Sequence, residues 1–209
     1  MQILSHRGFW FNNFGKNTLE SFEYSFKNSF GIETDIRDYD QNLIISHDVP
    51  DHRCVSFDNL IDVYQRDGKQ LPLAINVKAD GLQRLFTDAI RDVPINYFVF
   101  DMSIPDALAW IAAGHPVFLR MSEYEPRPVL FDKCAGLWID PMVDEEWIKE
   151  DLLSDLLLSN KSVCLVSPEL HRRDYRKFWD QLSSMALKDD PKLMICTDFP
   201  KDCNDFFNK

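Results

Sequence analysis

Two hydrophobic periods alternate along this chain from one end to the other. Residues 2–6 (QILSH) have the alternation of a strand. Residues 17–28 then switch to helical spacing, with Leu19, Phe22 and Phe26 on one face and Asn17 or Thr18 as the cap. The same exchange repeats. Strands are predicted at 32–37, 71–79, 97–102, 116–121, 135–141, 162–168 and 192–200, with a short strand partner at 43–48. Helices are predicted at 56–68, 82–92, 103–114, 144–160 and 173–187, and 122–128 reads as a loop. Ser56 caps the second helix and Gly68 stops it. Ser103 caps the fourth, with Pro105 in its first turn and Gly114 at its end.

Near-continuous apolar strands separated by amphipathic helices predict a parallel sheet covered by helices. If 43–48 is an excursion from the second strand, eight main strands remain. Eight βα units predict a compact (β/α)8 TIM barrel with a short insertion after strand 2, in a chain at the short end for that fold. The rival is an open doubly wound sheet. It would carry a glycine-rich phosphate loop after its first strand, and SHRGFWFNNFGKN is not GxGxxG. No low-complexity tract or linker divides the sequence, so residues 1–209 are taken as a single domain.

Composition narrows the classes. With 45% apolar residues, including 16 Phe and 5 Trp, 209 residues suffice for one sizeable core. No run approaches the ~20 apolar residues that span a bilayer, and the first residues lack the pattern of a secretory signal. The five cysteines are odd in number and without CxxC spacing, as expected of buried free thiols in a cytoplasmic protein. The net charge of −11 argues against nucleic acid and anionic lipid as partners. It leaves room for a small anionic substrate met by one or two aimed cations. Oligomeric state is not legible.

The chemistry-bearing residues collect at the carboxyl ends of the strands: His6 and Arg7, Glu33 and Asp35, His47 and Asp48, Asn76 and Lys78, then Asp101, Arg120, Asp140, Ser167 with Glu169, and Thr197 with Asp198. In a barrel these positions share one rim, where such folds place their chemistry. Glu33 and Asp35 lie on one strand face. They offer hard oxygen ligands for Mg²⁺ or Ca²⁺, or else form a solvated pair or a partner for Arg37. His6 and His47 suit acid and base roles. Arg7 offers a forked donor for phosphate oxygens, or a salt bridge to the carboxylate pair, and Lys78 a point charge. Asp101, Arg120, Asp140 and Trp10 are possible rim contributors. Phe9, Trp10, Phe11 and Phe14 either pack beneath the rim or against a neighbouring loop, or form an apolar wall for a substrate or a contact to a partner chain. His52, His115 and His171 receive no role.

In order and spacing, HRG, NTLESF, ETDIR and LIISHD resemble the glycerophosphodiester phosphodiesterase family, and ICTDFP resembles its closing strand. The resemblance is strong over residues 1–50 and looser beyond. It implies a (β/α)8 barrel that cleaves a small phosphodiester with a divalent cation, Mg²⁺ or Ca²⁺. By that resemblance His6 and His47 are the catalytic acid–base pair, and Arg7 and Lys78 bind the substrate phosphate. Glu33 and Asp35 hold the metal. Asn76 stands where the family usually has a Glu, and its amide oxygen could coordinate without adding charge. That departure admits alternatives: another acid such as Asp101 or Asp140 that restores the charge, a metal-independent phosphodiesterase, or a phosphodiester-binding module without turnover.

Overall fold

The structure is a computed structural model, and it describes residues 1–11, 14–68 and 70–208. The chain divides into two compact units, Leu4–Val117 and Phe118–Lys209, with Met1–Ile3 grouped with the latter.

The first unit receives β1 (Gln2–His6) and contains α1 (Leu19–Lys27), β2 (Gly31–Tyr39), β3 (Asn42–Ile45), β4 (Val55–Ser56), α2 (Phe57–Val63), β5 (Leu73–Val77), α3 (Gln83–Ile90), β6 (Tyr97–Phe100) and α4 (Ile104–Ala112). β1, β2, β5 and β6 form consecutive parallel pairs. The predicted excursion is a hairpin. The second half of β2 pairs antiparallel with β3, Tyr39 opposite Asn42, and β3 pairs with β4. Asp40 and Gln41 make the turn with φ of 49° and 64°. Two positive φ values are what a two-residue hairpin of the strands' own twist requires.

The capping signals hold. Thr18, Ser56 and Ser103 each accept a backbone N–H three residues on. Past α4, Gly114 takes φ 85°, open to glycine at little cost. After α2 the helix widens into a π turn over Tyr64–Gly68. A Cβ on Gly68 would lie 2.3 Å from the Tyr64 ring, so glycine is needed there for a steric reason. The core of this unit packs Leu4, Phe22, Ile32, Ile36, Phe57, Leu60, Phe86 and Trp110, all withdrawn from solvent.

His115, given no role from sequence, is a core residue of this unit. Its Nε2 lies 2.9 Å from the Thr87 hydroxyl and its Nδ1 2.7 Å from the Tyr97 hydroxyl. Thr87 spends its own proton on the Gln83 carbonyl, so it accepts from Nε2–H, and Nδ1 accepts from Tyr97. The neutral imidazole satisfies both bonds, and burial pulls the pKa below 6.5. An unfolded histidine takes up its proton near pH 6.5, while the buried one resists it. The stabilising share is therefore complete above about pH 6.5 and is lost as pH falls below it. Chemical denaturation across that range is expected to show an acid-side loss that is smaller in His115→Gln. Equal losses in both proteins would contradict it.

The second unit contains β7 (Phe118–Met121), β8 (Gly136–Ile139), α5 (Glu150–Leu158), β9 (Ser162–Val166), α6 (Arg176–Ser184), β10 (Leu193–Thr197) and α7 (Pro200–Phe207). Its four strands are parallel and ordered β7-β8-β9-β10. Two features depart from the sequence reading. Residues 144–149 are not helical, and α5 begins at Glu150. The Glu123 carboxylate takes the N–H groups of Met142, Val143 and Asp144, and the Arg173 guanidinium takes the carbonyls of Pro141 and Met142. Side chains distant in sequence have claimed the backbone just ahead of the expected helix. The last helix, α7, was not expected. Pro200 opens it, and it lays Phe206 and Phe207 against Trp179, with centroids 5.6 and 6.1 Å away.

The protein is thus an α/β fold with a mostly parallel sheet of many strands, as expected. The closed eight-stranded ring is not seen: the strand pairings among the described residues remain open. At the outer edge of β6 only a single bridge, Val99 to Val117, stands where a ladder would be. Among the described residues all five cysteines are free and four are buried, and no helix is long and apolar enough to cross a membrane.

Candidate active site

The site grows from β2. Glu33 and Asp35 point the same way from it and are 2% and 0% exposed. On one side β1 sets His6 in register with Glu33, with His6 Nε2 3.9 Å from Glu33 Oε2. Arg7 then leaves the strand with φ 57°. Its N–H donates to the Glu33 carbonyl at 2.8 Å and to Glu33 Oε2 at 3.2 Å. Its Nε sits 3.2 Å from Asp35 Oδ2 as an ion pair, with the N–H not aimed along a hydrogen bond. On the other side β5 sets Asn76 in register with Asp35, and its Nδ2 reaches Glu33 Oε1 at 3.5 Å. Lys78 follows, with Nζ 3.6 Å from Asp35 Oδ1 and 3.3 Å from Asp101 Oδ2. Six of the residues singled out from sequence, with Asp101 beside them, therefore meet on three adjacent parallel strands.

Two carboxylates so close and so buried repel, and the pair shows it. Burial, and next the charge of Asp35, push Glu33 up to about 8, against the pull of Arg7 and Lys78. The protein's own cations relieve the repulsion only in part. Two acceptor oxygens in the same cluster, Asp35 Oδ1 and Asn76 Oδ1, are buried without any hydrogen-bond donor. Orphaned buried acceptors are rare. Hard oxygens of this kind, beside a buried carboxylate pair that lacks enough positive charge, are the donor set that Mg²⁺ or Ca²⁺ prefers. The residues present fit such an ion. Among the described residues no group of three or more His, Cys, Asp or Glu forms a metal cluster, so the amide of Asn76 would have to complete this one.

His47 lies on the loop after β3. It is exposed, and its Nδ1 lies 2.8 Å from Asp48 Oδ1. Two links tie the loop to the site: Ser46 N–H donates to the Asp35 carbonyl, and Arg37 Nε donates to the His47 carbonyl. Asp48 is held below its ordinary value by the His47 hydrogen bond, then by the charge of His47, with Arg7 and Arg37 adding to it. Trp10 donates its indole N–H to the His6 carbonyl and carries Lys16 over its ring at 4.3 Å. Phe9, Phe11 and Phe14 pack against Tyr24 of α1, with centroids 4.9, 5.0 and 6.0 Å away. They form an aromatic cluster on that helix.

Arg120 and Asp140 belong to the second unit and are engaged there. Arg120 pairs with Glu125 at 2.5 Å, and Asp140 accepts from His171 Nε2 at 2.6 Å. His171 is a partner the sequence reading passed over. A second is Asn17, weighed only as a helix cap. Its Nδ2 donates to Asp35 Oδ2 at 2.9 Å. Glu169, placed at a strand end from sequence, gathers with its carboxylate the Ser167 and Thr197 hydroxyls and the Asp198 N–H at the ends of β9 and β10. Burial raises its pKa, and the hydroxyl donors pull against that.

No protein-family model matches the sequence, and no curated protein matches it. Solved structures do match in fold. A glycerophosphodiester phosphodiesterase from Parabacteroides distasonis superposes with a TM-score of 0.76 at 13% identity, covering 99% of this chain and 96% of that one. A phosphodiesterase from Oleispira antarctica, solved in complex with the product sn-glycerol-3-phosphate, gives 0.70 at 14%, covering 100% and 97%. A glycerophosphoryl diester phosphodiesterase from Parabacteroides distasonis gives 0.70 at 12%, covering 99% and 86%.

Proposed function

We propose that this chain is a phosphoric diester hydrolase acting on a glycerophosphodiester or a similar small alcohol phosphodiester. One observation carries the reading. His6, Arg7, Glu33, Asp35, Asn76 and Lys78 converge on β1, β2 and β5 of a chain that superposes nearly end to end on phosphodiesterases. That one of those structures was solved with sn-glycerol-3-phosphate supports a substrate of this size.

In this reading Arg7 and Lys78 receive the phosphate oxygens, the first through its fork and the second as a point charge. Both are already held against Asp35, so little reorganisation is needed as charge builds on the phosphoryl group. His6 and His47 are the acid and base. One takes the proton from the attacking hydroxyl or water, and the other gives a proton to the leaving alcohol oxygen. Glu33, Asp35 and Asn76 would hold a divalent cation, which would supply polarisation of a phosphate oxygen.

The test is release of glycerol phosphate from a glycerophosphodiester such as glycerophosphocholine, with Mg²⁺, with Ca²⁺ and with chelator. Turnover with a cation and its loss with chelator are expected, and no turnover under any condition would refute the reading. A second reading, a phosphodiester-binding module, is favoured by Asn76 alone, because it leaves two formal negatives where three would bind a cation more firmly. Asn76→Glu separates the two. It is expected to tighten cation binding at least about tenfold, because it adds a full charge at contact distance. Titration calorimetry reads that shift directly. Tighter binding with turnover still absent would favour the binding module.

A further inference from the structure

The geometry points to Asn17 as a positioning residue: its side-chain amide ties down one oxygen of Asp35 and so reserves the other, Oδ1, for a divalent cation. This inference rests on the cation reading proposed above.

Asn17 bridges two neighbours on β2. Its Nδ2 donates to Asp35 Oδ2 at 2.9 Å, and its Oδ1 accepts the Thr34 hydroxyl at 2.8 Å. The two bonds fix the amide's orientation. Reversed, it would set its oxygen against a carboxylate oxygen. Asp35 Oδ2 thus takes a hydrogen bond from Asn17 and has the Arg7 guanidinium beside it as an ion pair. Oδ1 has no hydrogen-bond donor, and Asn76 Oδ1, from the register position beside Asp35, has none either. One amide makes the carboxylate asymmetric. Its tied oxygen serves the protein; its other oxygen makes no hydrogen bond and has the Lys78 ammonium 3.6 Å away.

The backbone of Asn17 does a second task. Its N–H donates to the Arg7 carbonyl at 2.8 Å, closing the segment that begins at Arg7. Both ends of that closure are left-handed, Arg7 and Asn17 each at φ 57°. Asparagine tolerates this conformation better than most residues. The side-chain and backbone roles can therefore be separated. Asn17→Gly keeps the left-handed backbone and its N–H but deletes the amide. Thr34→Val keeps a β-branched residue in the strand but deletes the hydroxyl that orients the amide.

The experiment titrates the cation-free protein with Ca²⁺ and with Mg²⁺ by calorimetry, uses the tighter ion, and records thermal midpoints without cation. Asn17→Gly is expected to bind the ion about 10- to 100-fold more weakly, in the range found for partners that orient metal ligands. Its thermal midpoint is expected to fall by a few degrees for the two lost hydrogen bonds, with the protein still folded at the titration temperature. Thr34→Val is expected to weaken binding by a smaller factor. Parental affinity in Asn17→Gly overturns the inference, and so does a parent protein that binds neither ion. Should Asn17→Gly fail to fold, Thr34→Val decides, with weakened binding supporting the inference and unchanged binding overturning it. Turnover of glycerophosphocholine by the parent is scored separately. A parent that binds the cation but cleaves nothing refutes the hydrolase reading and leaves the role of Asn17 standing.

Discussion

Asp35→Ala is expected to destabilise the protein by about 3–5 kcal/mol, the range seen when one partner of a buried charge pair is removed. Asp35 is fully withdrawn from solvent and meets two cations, Arg7 at 3.2 Å and Lys78 at 3.6 Å, as well as the amide of Asn17. Both cationic side chains are mostly buried, so water cannot readily replace the lost carboxylate. Part of the loss is returned. Asp35 is the charge that helps push Glu33 up to about 8, and without it Glu33 ionises more easily and can answer Arg7. That compensation favours the lower half of the range. In a chain of this length each kcal/mol moves the midpoint by about 2–4 °C, so a fall of roughly 6–15 °C is expected by calorimetry. Asp35→Asn keeps the shape and a hydrogen-bonding oxygen, and should fall by less. A change below about 1 kcal/mol in Asp35→Ala would mean the two cations do not depend on Asp35.

Much of this cluster could be read from sequence because it follows from periodicity. Alternation in ETDIR puts Glu33 and Asp35 on one face, and parallel pairing with AINVK makes Asn76 the neighbour of Asp35. The caps Thr18, Ser56 and Ser103 were legible for a similar reason, as local chemistry at a local position. What escaped is what depends on contact at a distance. Asn17 looks like one more residue before a helix. Its bond to Asp35 comes with the contact of its N–H to the Arg7 carbonyl, and only its tolerance of positive φ is local. Residues 144–149 have helical spacing, but Glu123 and Arg173 take the neighbouring backbone groups. His171 shows no pattern that predicts Asp140. The barrel count of eight strands is a statement about order along the chain, and order alone does not close a sheet.

His6→Ala is expected to lower kcat by about 10²–10⁴-fold, the usual share of a positioned proton-transfer group, with KM much less affected. The expectation follows from where His6 stands. It is set in register with Glu33, its Nε2 3.9 Å from that carboxylate, and its carbonyl is held by the Trp10 indole. Phosphate contacts lie with Arg7 and Lys78 instead, so deleting the imidazole removes proton transfer and leaves binding largely in place. His47→Ala should cost a comparable factor even though His47 is exposed, because that loop is anchored through Ser46 to the Asp35 carbonyl. The double variant carries the strongest information. If one imidazole takes the proton and the other gives one in the same turnover, the two act as a unit. Removing both then costs little more than removing the more damaging one. Losses that multiply would mean two independent contributions, and single variants with full turnover would remove both histidines from the chemistry. Rates measured on one glycerophosphodiester at saturating cation separate these cases, because kcat reads the proton transfers and KM reads Arg7 and Lys78.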